Sequence, residues 1–71
     1  MPVEVYDKSK FIEISSRAEL CRVVRREKEG IAKVKARTKK YLYTIKIPIN
    51  ELEEFIKQLK CKELVEIGKG S

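Results

Sequence analysis

From Ala32 to Arg37 the chain alternates without a break between apolar and basic residues, and this pattern restricts its fold more than any other. Ala32, Val34 and Ala36 fall on one parity; Lys33, Lys35 and Arg37 fall on the other. A period of two belongs to a β-strand, whose successive side chains point to opposite faces. One face must enter a core while the other carries three cations into solvent. A one-residue slip would bury the cations, so the register is strongly specified. The chain must build a sheet with one covered face and one open face.

The partner strand follows at Tyr41 to Ile47. A two-residue turn at Lys39 and Lys40 sets Thr38 opposite Tyr41, Arg37 opposite Leu42 and Ala36 opposite Tyr43. Lys35 then meets Thr44, Val34 meets Ile45, Lys33 meets Lys46 and Ala32 meets Ile47. Tyr43, Ile45 and Ile47 join the apolar face, where small residues oppose large ones. Tyr41 and Tyr43 are read as core rather than as stacking platforms. Two features count against this hairpin. Lys33 and Lys46 are like charges directly opposed, and Lys-Lys lacks the Asn-Gly chemistry of a type I′ turn. A loop two residues longer would leave the faces unchanged.

A third strand, Cys21 to Arg26, precedes a turn around Glu29-Gly30. A four-residue loop there puts Cys21 and Val23 inside, Arg22 opposite Lys35 and Val24 opposite Lys33. Arg25 falls at the rim of the inner face and Arg26 outside. The first helix starts at Asp7, whose carboxylate can accept from a first-turn N–H. Phe11, Ile14 and Ala18, with Ile12, form its stripe, which fades near Arg17 to Glu19. The second helix carries Leu52, Phe55, Ile56 and Leu59 at i, i+3, i+4, i+7. Asn50 with Glu53 suits a capping box, Glu51, Glu53 and Glu54 complement the dipole, and Pro48 stops the preceding strand.

The expected fold is α+β: a single domain over 1–71 with a three-stranded antiparallel sheet covered on one face by two helices. Its order is β-α-β-β-β-α, with short terminal strands at PVEV and ELVEI as an option and 68–71 as a frayed tail. Seventy-one residues leave no room for a second core. A core of that size supplies about 3–5 kcal/mol.

The charge is informative once divided along the chain. Arg22 to Lys46 holds ten basic and two acidic residues, while the segments on either side each carry a net of −1. Arg22, Lys33, Lys35, Arg37 and Lys46 line the open face. Lys39 and Lys40 extend it at one turn; Arg26 and Lys28 extend it at the other end. Lysine and arginine neutralise phosphates and release counterions, so a concentration of this kind suits a polyanion. Engaging roughly six phosphates would cost about 10³-fold in affinity between 50 and 200 mM salt. The competing reading is a solvated, Lys-rich surface of thermophile type.

No helix-turn-helix, basic-zipper or zinc-finger pattern is present, so no element reads a major groove. Backbone and shape recognition of structured RNA remains. Catalysis has no foothold: there is no histidine, no Gly-rich phosphate loop and no metal-ligand spacing. The Glu53-Glu54 pair is explained by the helix dipole, and Ser15 and Ser16 have no candidate base. No enzyme activity, cofactor or small-molecule substrate is expected. Cys21 and Cys61, forty positions apart, read as reduced core-filling thiols, with a disulfide open if the source is a hyperthermophile. No apolar run has transmembrane length and no signal peptide is evident, so a soluble, cytoplasmic protein without a membrane partner is expected.

Asp7, Phe11-Ile12 and above all KVKAR followed by YLYTIKI resemble the small large-subunit ribosomal protein family numbered thirty-eight in eukaryotes and found in some archaea. The resemblance runs without gaps from Asp7 to Ile47. It implies a constituent of the cytoplasmic large ribosomal subunit, packed on ribosomal RNA beside neighbouring ribosomal proteins. It also implies RNA contact by Lys33, Lys35, Arg37, Lys39 and Lys40. The chain departs from the family in two places. Only Arg17 stands where a longer basic run follows the first helix, so no contact is carried over to that helix end. Arg25 stands where an apolar residue is expected. A free RNA-binding or RNA-chaperone domain, and a module for an acidic protein partner, are the alternatives.

Overall fold

The computed structural model describes residues 2–67, so the tail at 68–71 lies outside the described residues. The chain runs β1 (Pro2–Glu4), α1 (Lys8–Ser15), β2 (Leu20–Arg26), β3 (Ile31–Arg37), β4 (Leu42–Pro48), α2 (Ile49–Gln58) and β5 (Leu64–Ile67). A short 3-10 turn at Glu27–Glu29 joins β2 to β3. The architecture is α+β as expected, but the sheet is larger. It has five strands in the order β1-β4-β3-β2-β5, not three.

The central register is the one that alternation demands. Val34 lies opposite Val23 on one side and Ile45 on the other; Lys33 lies opposite Val24 and Lys46. The Lys39-Lys40 hairpin is closed without the left-handed backbone of a type I′ turn, since no non-glycine residue among those described has positive φ. Thr38 closes it instead. Its backbone N–H and its hydroxyl both donate to the Tyr41 carbonyl, at 2.9 and 3.0 Å. The same hydroxyl accepts from the Tyr41 N–H at 3.1 Å. At the other hairpin Gly30 takes φ +71°, a left-handed conformation that costs other residues about 1–2 kcal/mol.

β1 lies parallel to β4 and β5 parallel to β2, a pairing that the three-strand expectation lacked. Four strands thus point one way and β3 alone runs against them. α1 carries the chain from β1 across to β2; α2 carries it from β4 across to β5. Both crossovers step in the same direction between parallel strands, and such connections are right-handed. Both helices therefore land on the same face. There the Phe11 and Phe55 rings meet with centroids 5.9 Å apart. They join Cys21, Val23, Ala32, Val34, Ala36, Ile45, Ile47 and Leu52 in one buried cluster. Among the described residues no element crosses the opposite face, which stays open.

The helix termini differ in how far local sequence governs them. Asp7 caps α1 as expected, its carboxylate accepting from the Ser9 N–H at 2.9 Å. The helix stops at Ser15, and Ala18 is buried from the turn beyond it. The capping box at Asn50 and Glu53 does not form. α2 begins directly after Pro48, which has no side-chain cap, and Asn50 is already inside the helix. The reason lies across the fold: the Ile49 N–H donates to the Gly30 carbonyl at 3.0 Å, so an orphan donor is met by the neighbouring loop. Glu51 in the first turn of α2 pairs with Lys8 at the start of α1.

Two long-range ties hold the segment after α2. Cys21 and Cys61 form a disulfide, with Cα atoms 5.9 Å apart, correcting the reading of both as reduced thiols. No local pattern shows this pairing; the α2 crossover returns the chain to the edge of β2. The second tie is Ser15, fully buried, whose hydroxyl donates to the Ile12 carbonyl and accepts from the Lys60 N–H at 3.0 Å. Ser15→Ala strands that donor and is expected to cost about 1–2 kcal/mol, read as a lower urea midpoint at unchanged slope.

Candidate nucleic-acid interface

Alternation along β3 turns Lys33, Lys35 and Arg37 onto the open face, and pairing places Arg22 beside Lys35 and Lys46 beside Lys33. These are the five cations that the sequence assigns to this face. Arg26 falls on it too, at the far end opposite Ile31. Among the described residues none of the six has a carboxylate within ion-pair distance. Like charges opposed across a strand pair are destabilising, and no ion pair relieves them among the described residues. The face is a field of strong positive charge, with one acid, Glu4, lining a hollow beside Lys33, Lys35 and Lys46.

Other residues lie around the field. Lys28 sits beyond β2 in the 3-10 turn, between Glu27 and Glu29, so its charge is locally offset. Arg25 shares the inner-face register with Ala32 and is claimed by Glu66 of β5, through Nε at 2.9 Å. Residues outside the central hairpins also contribute. β1 adds Glu4, opposite Thr44; it is the one acid that register brings onto the open face among the described residues. β5 adds Val65 beside Arg22 and Ile67 beside Val24. One flank of the cationic field is therefore apolar, which charge reading along the central segment had no means of showing.

Lys39 and Lys40 project from the hairpin tip and are exposed. Together with Leu20, Arg22, Lys35 and Arg37 they enclose a recess of about 370 Å³ on the open face. Tyr41 lines it as well and is 47% exposed, which corrects its assignment to the core. Tyr43, two residues inward, is part-buried against the core cluster as expected. Inner-face parity holds for both tyrosines, but at the hairpin tip Tyr41 is left half in solvent.

A small α+β sheet backed by two helices, with its cations gathered on the open face, has the charge pattern of a ribosomal protein rather than of an enzyme. The chain belongs to the Ribosomal L38e protein family, whose model matches residues 1–67. It is similar to the Large ribosomal subunit protein eL38 of the archaeon Aeropyrum pernix, with 46% identity over 69 residues. That match covers 94% of this chain and 100% of its relative. Membership makes the chain a ribosomal protein, a structural constituent and not an enzyme.

Proposed function

We propose that this protein is built into the large ribosomal subunit in the cytoplasm, where its open sheet face binds ribosomal RNA beside neighbouring ribosomal proteins. The observation that carries this reading is the set Arg22, Lys33, Lys35, Arg37 and Lys46 on one face without carboxylate partners. Mutual repulsion destabilises that arrangement in the free protein. Phosphates arriving on the face would remove the repulsion and release condensed counterions. Arg26 continues the field at one end, Lys39 and Lys40 at the other, while Lys28 lies at its margin. Recognition would be of backbone and shape, since the strands present lysine and arginine rather than base-reading aromatics across most of the face.

The test is the paired charge reversal Lys35→Glu with Arg37→Glu. Its affinity for large-subunit ribosomal RNA should fall about 100-fold, and the salt dependence should flatten by about 1.5–2 in the log–log slope. Melting temperature should stay within a few degrees, because both residues point away from the core. Wild-type affinity in the folded double variant would move the interface off this face. In cell extract, the protein should sediment with the large subunit and stay there through a high-salt wash.

A further inference from the structure

The hairpin tip has a second side. On the helix-covered side of the sheet, Thr38, Lys39, Lys40 and Tyr41 line another recess of about 400 Å³, completed by Tyr43, Arg17, Glu19 and Lys62. That volume is within the roughly 300–1,000 Å³ typical of sites for small organic ligands. Its cations come from three separate segments. Arg17 follows α1, Lys62 follows α2, and the two lysines stand on the tip between β3 and β4. Local charge reading gave no reason to group them.

Two features distinguish this place from an ordinary basic patch. The first is an exposed aromatic held in position. The Tyr41 backbone is tied to Thr38 by three hydrogen bonds. Its ring meets Tyr43 edge-on at 6.0 Å, yet 47% of the residue is open to solvent. The second is continuity: Thr38, Lys39, Lys40 and Tyr41 also line the recess on the open face, so the tip separates two cation-lined hollows. An acidic peptide would satisfy the cations but has no use for the aromatic surface. A nucleotide has both an anion and a π-face. Glu19 would repel a phosphate, but its carboxylate can accept from an amino or ring N–H of a base.

We infer that the recess between Tyr41, Tyr43, Arg17 and Lys62 takes one unpaired nucleotide of the bound RNA, its base stacked on Tyr41. This rests on the reading that the open face binds RNA. The strand passes over the hairpin tip, with Lys39 and Lys40 neutralising the phosphates on either side of the turned-out base. Stacking of this kind tolerates any base and adds a discrete increment to the salt-sensitive attraction of the face.

The experiment compares two RNA hairpins of equal length and charge, one fully paired and one carrying a single bulged 2-aminopurine. The intact protein should bind the bulged hairpin about tenfold more tightly than the paired one. It should also quench the 2-aminopurine fluorescence. Tyr41→Ala should abolish both the preference and the quenching, yet leave affinity for the paired hairpin within about twofold. Tyr41→Phe should keep both. Equal binding of the two hairpins by the wild type, or a preference that survives in Tyr41→Ala, would overturn the nucleotide site and leave the sheet-face reading standing. Failure of the wild type to bind either hairpin at 50 mM salt would overturn the sheet-face reading itself, and the nucleotide site with it.

Discussion

Val34→Asp is expected to abolish the cooperative thermal transition of this domain. Val34 is fully buried at the centre of β3, between Val23 and Ile45, in the cluster that both helices cover. The substitution removes an apolar side chain worth about 1.5–3 kcal/mol in burial. It then places a buried carboxylate in a cluster whose one inward-register cation, Arg25, is already paired with Glu66, a penalty of several kcal/mol. A core of this size supplies about 3–5 kcal/mol, so the loss exceeds what the sheet can absorb. The neighbouring change Lys35→Asp is the internal control. One residue away but on the open face, it should melt within a few degrees of wild type in circular dichroism. A normal transition for Val34→Asp would mean that the two faces are exchanged.

Reduction of the Cys21–Cys61 disulfide carries the second large effect. The bond spans 40 positions, and closing a loop of that length restricts the unfolded chain by about 4 kcal/mol in the chain-entropy model. Cys61→Ser should therefore lower the unfolding free energy by about 3–4 kcal/mol, comparable to the contribution of the core itself. Wild-type protein in excess dithiothreitol should move to the same guanidinium midpoint, while the variant should not respond to reductant. Coincident midpoints for oxidised and reduced wild type would show that the bond contributes nothing to the fold.

The central sheet is legible because its information is local. Strict alternation in β3 decides which side chains are buried, and a single pairing at Thr38 and Tyr41 then propagates that decision into β4. The Asp7 cap is legible for the same reason: donor and acceptor are two residues apart. The Asn50 cap does not form because the helix starts one residue earlier, its Ile49 N–H met by the Gly30 carbonyl, which local sequence does not bring near. Arg25 looked out of place until β5 supplied Glu66, 41 positions away. The sense of the cationic face was readable as well, since Lys33, Lys35 and Arg37 share a parity. The recess on the other side of the tip was not, since Arg17, Lys62 and Tyr41 meet only when both crossovers are complete.

The sequence by itself determined the two-faced hairpins, their register, and the concentration of charge between Arg22 and Lys46. Each follows from side-chain parity or from neighbours a few residues apart. The tertiary structure alone decided that β1 and β5 extend the sheet, that Cys61 reaches Cys21, and that Tyr41 is left half exposed. These depend on where two right-handed crossovers set the chain down, and that position is decided by packing against the sheet rather than by any residue within the segments themselves.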